Sequence, residues 1–96
     1  MGSLSYGGTQ SFEFEDRLLA HLRSVITMKL VRHESFMFTW NEGTVQRTVW
    51  LHPSSQLVFE FDSTEGLGLN REWVERLSDL ANGPSGLHIV EEPRVP

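Results

Sequence analysis

The amino-acid sequence predicts an α+β fold in which two helices pack on one face of a mostly antiparallel sheet. Two stretches, near residues 17–32 and 70–81, place apolar residues at helical spacing. Several shorter runs alternate apolar and polar residues with the period of a β-strand, and glycine, proline or asparagine separates them. Because 96 residues leave room for one small domain, a single domain over residues 1–96 is expected.

The first two strands are predicted to form a β-hairpin. Apolar side chains alternate with polar ones in residues 4–6 and 12–14, and Gly7 and Gly8 between them can adopt the positive φ of a tight turn. Asp16 follows the second strand, where its carboxylate could cap the N-terminus of the first helix.

The first helix is predicted from residue 17 to about residue 32. Its apolar stripe repeats at helical spacing and comprises Leu18, Leu19, Leu22, Val25, Ile26 and Leu30. Lys29, the only lysine of the chain, falls on or beside this stripe. The polar side of the helix is predicted to carry Arg17, His21, Ser24 and Met28.

Three strands are predicted to follow as an antiparallel meander. Residues 36–40, 45–51 and 57–61 alternate apolar and polar side chains, and turn-forming residues separate them at 41–43 and 53–55. Such a meander buries one face of the sheet.

A second helix is predicted after a glycine-containing loop. Asn70 is a candidate N-cap, and Asn82-Gly83-Pro84 ends the helix, with Gly83 expected in the left-handed C′ conformation. Leu87 and Ile89 mark a last strand, and residues 91–96 are expected to form a flexible tail. The predicted order is therefore β-β-α-β-β-β-α-β.

The charge balance argues against a free-standing nucleic-acid binder. Thirteen acidic and eight basic residues give a net charge of −5, whereas binding to phosphates favours the opposite sign. No apolar run is long enough to cross a bilayer, no secretory leader is recognised at the N-terminus, and cysteine is absent. A cytoplasmic protein without disulfides is expected.

The residue patterns of common catalytic sites are not found in the sequence. The four histidines lack the spacing of a helical metal site, no serine lies in a G-x-S-x-G motif, and Gly66-Leu67-Gly68 lacks the third glycine of a dinucleotide-binding loop. We therefore predict no catalytic residue, no metal site and no cofactor, so that the protein is not an enzyme.

The candidate binding residues lie at the ends of predicted elements. Strand alternation turns Trp50 and His52 away from the phenylalanine-rich side of the meander, towards neighbours that include Met37, Val58 and Glu60. A face of this mixed character indicates an interface or a ligand platform. The alternative is that the N-terminal hairpin and the last strand cover it.

Three further residues could contribute to a ligand site. Arg47 lies on the strand that carries Trp50, and Asn70 and Arg71 lie at the start of the second helix. An arginine at a helix N-terminus opposes the helix dipole, so it could pair with an anionic ligand. The simpler alternative for Arg71 is an ion pair with Glu75, one turn further along the helix.

A resemblance to known proteins is carried by residues 6–8, 14–22, 34–36 with 38–40, 50–53, 70–75 and 85–87. Together these segments resemble a family of proteins of similar length and unknown function that are common in actinobacteria and their phages. Members of that family are often labelled ATP-dependent DNA ligases, but the lysine of a ligase lies in a Lys-x-Asp-Gly motif, and Lys29 does not. The resemblance therefore implies no ligase activity.

Three functions fit these observations. The first is a non-enzymatic binding module, a homodimer or larger, that uses the Trp50 and His52 face for self-association or for docking a protein partner. The second is a nucleotide binder, for example a phage protein that sequesters a signalling nucleotide, in which Arg47, His52, Arg71 and the basic first helix contact phosphates. The third is an accessory factor in DNA transactions that uses the first helix, which carries half of the lysines and arginines.

Overall fold

The computed structural model describes residues 1–65 and 67–94 and confirms the predicted order of elements. Both helices and the hairpin lie close to their predicted positions, and the last strand is shorter than expected. The elements are β1 Gly2–Tyr6, β2 Gln10–Phe14, α1 Asp16–Val31, β3 Phe36–Glu42, β4 Val45–Leu51, β5 Leu57–Glu60, α2 Arg71–Ala81 and β6 Leu87–His88.

The strands form two three-stranded sheets, with the orders β2–β1–β5 and β4–β3–β6. The predicted meander is therefore wrong at its third strand, because β5 pairs with β1 and not with β4. The turn after β4, closed by a hydrogen bond from the Ser55 N–H to the His52 carbonyl, leads the chain into the other sheet. Val58 and Glu60 therefore lie in the other sheet, and not beside Trp50, where they were expected.

The N-terminal hairpin is confirmed and packs on the inner side of the β4–β3–β6 sheet. Gly7 and Gly8 take φ values of 66° and 77° in its turn. The Phe12 ring meets the Trp40 ring edge-on at 5.0 Å between centroids, and Phe14 lies 6.0 Å from Phe38. The core thus forms between the inner faces of the two sheets and the two helices.

Helix α1 begins without the predicted cap. Glu15 is its N-cap residue and makes no side-chain capping bond. The Asp16 carboxylate instead accepts hydrogen bonds from the N–H groups of Asp62 and Ser63, at 3.3 and 3.2 Å. Asp16 therefore anchors the loop that follows β5 to the start of α1.

Helix α2 has the predicted N-cap, and its connection to β6 differs from the expectation. The Asn70 side-chain oxygen accepts from the Glu72 and Trp73 N–H groups at 3.1 and 3.4 Å. The positive φ that was expected at Gly83 occurs at Gly86, where φ is 80°.

His21 is fully buried between the helices, although the sequence places it on the polar side of α1. Its Nε2 accepts the Asn70 N–H at 2.8 Å, so Nδ1 carries the proton and donates to the Arg17 carbonyl at 2.7 Å. The ring packs on Trp73 with 4.4 Å between centroids. Because both ring nitrogens have partners, the histidine can be buried without an unsatisfied polar atom.

The segment after β6, predicted as a flexible tail from residue 91, has specific partners up to Pro93. Arg17 Nε donates to Glu92 at 2.7 Å, and the Asn70 side-chain amide donates to Glu92 and to the Pro93 carbonyl at 3.0 and 3.1 Å. The Trp73 indole N–H donates to the Val90 carbonyl at 2.9 Å. Residues 95 and 96 lie outside the described residues.

Replacement of Glu92 by glutamine should change how stability depends on pH. The pKa of Glu92 is lowered to about 2, from an ordinary value of 4.5, chiefly by the hydrogen bond from Arg17 and secondarily by the one from Asn70. A lowered carboxyl pKa stabilises the fold above pH 4.5, and this stabilisation is lost as the pH falls towards 2. We expect Glu92→Gln to be less stable than the wild type at pH 7, with the difference shrinking below pH 4.5 and vanishing near pH 2.

Urea denaturation at a series of pH values measures this difference. The matched control is Glu91→Gln, which removes the same charge from an exposed neighbouring position. A Glu92→Gln difference that stayed constant from pH 7 to pH 2 would contradict the role of the ionised carboxylate.

Candidate binding site

The outward-facing side of the β4–β3–β6 sheet carries the exposed aromatic residue of the site. Met37 on β3 lies directly opposite Trp50 on β4, and their side chains are 43% and 54% exposed. We call this surface the outer β3–β4 face. By strand alternation and register its residues are Met37, Thr39, Asn41, Gln46, Thr48, Trp50 and His88.

None of these seven side chains is an acid, a lysine or an arginine, although the whole chain has a net charge of −5. The phenylalanines and Trp40 occupy the inner side of the same strands, as the alternation predicted. The N-terminal hairpin packs on that inner side, so the alternative in which it covers Trp50 is not realised. The outer β3–β4 face is therefore an uncharged surface with an exposed apolar pair at one end.

The backbone that carries Trp50 is held by the other sheet. The Tyr6 hydroxyl donates to the Trp50 carbonyl at 2.8 Å, which ties β1 to β4. Next to the apolar pair, the hydroxyls of Thr39 and Thr48 share a hydrogen bond of 3.0 Å across the strands. The face is thus a fixed platform that needs little ordering before it can bind.

His52 lies beyond the end of β4 and belongs to a turn. Its Nδ1 accepts the Ser54 N–H at 3.0 Å, and its own N–H donates to the Ser55 hydroxyl at 3.0 Å. The imidazole is exposed, but one of its nitrogens is already used within the chain. His52 therefore shapes the turn beside the face and is not one of the residues of the face.

Arg47 lies on the inner side of β4, opposite Trp40, and so does not share a face with Trp50. Its guanidinium pairs with Glu42 and stands 5.6 Å from the centre of the Phe12 ring. Because side chains two positions apart share a strand face, Arg47 belongs with Val49 and Leu51 at the edge of the core.

Asn70 and Arg71 are also separated from Trp50. Trp50 borders the C-terminal end of α2, whereas these two residues lie at its start, and a helix of 11 residues spans about 16 Å. Arg71 makes the alternative ion pair with Glu75, at 3.2 Å, and is 92% exposed. The six predicted residues therefore divide into the Met37–Trp50 pair and four residues with structural or surface contacts elsewhere.

A recess of about 270 Å³ opens beside Trp50 and was not anticipated from the sequence. It lies where α1 and α2 end and β3 begins. We call it the Lys29 recess, because the chain's only lysine contributes to its lining. The lining residues are Lys29, Ser35, Phe36, Met37, Trp50, Ala81, Asn82, Gly83, Pro84 and Gly86.

Lys29 is nine-tenths buried, with 9% of its surface exposed. Its ammonium donates to the Asn82 side-chain oxygen at 2.8 Å and lies 3.4 Å from Glu34 Oε2. The same ammonium stands 5.5 Å from the centre of the Phe36 ring. The sequence signal for this site was the position of a lone lysine on or beside the apolar stripe of α1.

The other cations of α1 also have contacts within the protein. Arg17 binds Glu92, and the Arg23 guanidinium stands 4.6 Å from the centre of the Phe61 ring. Lys29 pairs with Asn82 and Glu34. Three of the four lysines and arginines between residues 17 and 32 therefore have partners among the described residues. The basic helix is therefore less of a free cationic surface than its sequence indicates.

Within residues 1–65 and 67–94, no three histidine or acidic side chains lie together as a cation site. No helix in these ranges has the length and apolar composition needed to span a bilayer.

The fold and the site define a small α+β protein with an uncharged aromatic sheet face beside a recess that contains a buried lysine. The chain belongs to the family described as Domain of unknown function (DUF7882), whose model matches residues 1–92. No curated protein and no solved structure matches the chain.

Proposed function

We propose that this protein is a non-enzymatic interaction module that self-associates through the outer β3–β4 face. The observation that carries this proposal is the exposed Met37–Trp50 pair, which lies on a face without acidic, lysine or arginine side chains. Tryptophan and methionine are enriched in protein interfaces, and charged residues are depleted at their centres. The face therefore has the composition of an interface core.

The charge distribution favours a second copy as the partner. Two copies of a protein with a net charge of −5 repel one another at most surfaces, and contact through an uncharged face keeps like charges apart. A two-fold axis brings identical patches together, so each Trp50 can cover apolar surface on the other copy. A domain of this size also gains stability when it buries surface by association.

Replacement of Met37 by glutamine should weaken self-association by about tenfold or more in the dissociation constant, because both copies lose roughly 1 kcal/mol of apolar burial. Sedimentation velocity over a concentration series measures the constant. The matched control is Met28→Gln on α1, because Met28 is 41% exposed and Met37 is 43% exposed.

The control and wild-type proteins should share one dissociation constant, and the Met37→Gln protein should shift towards the monomer. A wild type that remained monomeric at hundreds of micromolar would overturn self-association as the function. Equal weakening by both substitutions would place the interface elsewhere.

The alternative functions have less support in the geometry. A nucleotide site at Trp50 would need Arg47, His52 and Arg71 to converge there, and they lie on the inner sheet face, in a turn and at the far end of α2. A DNA-binding α1 would need free cations, and its three cations contact other parts of the chain.

Two of the four histidines support binding over catalysis, since both nitrogens of the buried His21 and one of His52 are already used in hydrogen bonds. We also propose that the protein is cytoplasmic, since it has no cysteine, and that it comes from actinobacteria or their phages, as the sequence resemblance implies.

A further inference from the structure

The Lys29 recess holds an ammonium group whose hydrogen-bonding capacity is only partly used. An ammonium has three N–H donors, and the Asn82 side-chain oxygen accepts one of them at 2.8 Å. The nearest carboxylate oxygen, Glu34 Oε2, lies 3.4 Å away and makes no hydrogen bond with it. Lys29 is therefore a buried cation with donor capacity left for another acceptor.

The Glu34 carboxylate is a weak and replaceable partner for this cation. Its Oε2 is buried without a hydrogen bond, which is an unfavourable state for a charged oxygen. The side chain as a whole is 42% exposed, so rotation would carry the carboxylate into water. A ligand carboxylate that hydrogen-bonds the ammonium directly can replace Glu34 without leaving either charge unpaired.

The other groups that line the recess suit the rest of such a ligand. Asn82 uses its oxygen for Lys29, so its amide N–H groups remain as donors beside the ammonium, and Ser35 adds a hydroxyl. Apolar surface comes from Phe36, Met37, Trp50 and Pro84. A volume of about 270 Å³ is near the lower limit of small-molecule sites, which fits a ligand built around one ring.

We propose that the Lys29 recess binds a small aromatic monocarboxylate, whose carboxylate replaces Glu34 at the Lys29 ammonium and whose ring lies against Trp50. One cation matches one negative charge. A phosphate dianion would leave negative charge uncompensated, and the C-terminal ends of α1 and α2, which carry negative partial charge, border the same recess. The ligand class is therefore a carboxylate rather than a nucleotide phosphate.

Phenylacetate is the probe, and phenylacetamide, which has a similar shape without the charge, is its comparison. Titration of ¹⁵N-labelled protein should shift the Trp50 indole N–H resonance and leave those of the buried Trp40 and Trp73 in place. We expect phenylacetamide to bind about tenfold or more weakly, since its neutral amide oxygen can accept from the Lys29 ammonium but cannot form the ion pair that replaces Glu34. Inorganic phosphate should produce no shift.

Two substitutions test the exchange of carboxylates. Lys29→Met keeps the apolar stem and should abolish phenylacetate binding. Glu34→Gln should tighten phenylacetate binding several-fold, because it removes the carboxylate that competes for Lys29 and leaves the Lys29 ammonium in the recess. The matched control, Glu13→Gln, removes one charge from an exposed position on β2 and should leave the affinity unchanged.

Weaker or equal binding by the Glu34→Gln protein would overturn the exchange, as would tighter binding of ATP or phosphate than of phenylacetate. The absence of phenylacetate binding to both the wild type and Glu34→Gln would overturn the site itself, even if Lys29→Met failed to fold. Met37 and Trp50 border both the recess and the outer β3–β4 face, so the two proposals share this pair. They are tested separately because Glu34 lies outside that face, and Glu34→Gln should leave the dissociation constant from sedimentation unchanged.

Discussion

Replacement of His21 by leucine is expected to lower the free energy of unfolding by about 2–4 kcal/mol. Leucine fills much of the same volume but cannot accept the Asn70 N–H, and an unsatisfied buried donor costs about 1–3 kcal/mol. Loss of the ring contact with Trp73 adds roughly 0.5–1.5 kcal/mol. For a domain of this length the melting temperature should fall by roughly 10–30 °C.

Urea and thermal denaturation measure the loss. The control is His52→Leu, which removes an exposed histidine that also accepts a backbone N–H, from Ser54. Water can replace that bond, so its cost should stay near 1 kcal/mol or less, as is typical for an exposed group. If both substitutions cost the same, the buried contact between α1 and the N-cap of α2 would not be the source of the stability.

Substitution of Gly86 by alanine is the second change with a large expected effect, a loss of about 2–5 kcal/mol. Gly86 has a φ of 80°, and a non-glycine residue in that region costs about 1–2 kcal/mol. An added Cβ would also lie 2.5 Å from the Met37 carbonyl oxygen. The clash is with backbone, so β3 and the start of β6 would have to separate, at a further cost of about 1–3 kcal/mol.

Gly43→Ala separates these two contributions. Gly43 has a similar φ of 63°, but an added Cβ there meets nothing within 4 Å. We expect it to cost only the backbone contribution, so the urea midpoint should fall much less than for Gly86→Ala. Equal losses would show that β3 adjusts to the extra methyl group and that the close approach is unimportant.

The sequence was sufficient to predict every element and the side of the sheet on which Trp50 and Met37 lie. Alternation along a strand determines which face a side chain takes, and that inference needs no knowledge of the neighbouring strands. It does not determine the neighbour. β5 has the same alternating pattern whether it pairs with β4 or with β1, so the second sheet could not be predicted from periodicity.

The partners of two buried polar side chains on α1 could not be predicted from the sequence either. His21 lies outside the apolar stripe of α1 and contacts α2, so the helix buries more of its circumference than that stripe indicates. Lys29 lies on or beside the stripe, as expected, but its contact with the C-terminal end of α2 was not predicted. Their burial depends on partners far along the chain, Asn70 and Asn82. No local pattern around either residue specifies those partners, which is why both contacts were missed.

The pairing of β1 with β5 has a consequence for how the chain folds. β1 is the central strand of the first sheet, and its second partner, β5, lies far along the chain, so that Ser3 stands opposite Glu60. In the second sheet, Phe38 of β3 likewise pairs with the distant Leu87 of β6. Bringing such distant segments together costs loop entropy before it yields contacts. We therefore expect the chain to fold more slowly than a helical bundle of this length, and we expect β1 to expose an unpaired edge until β5 pairs with it.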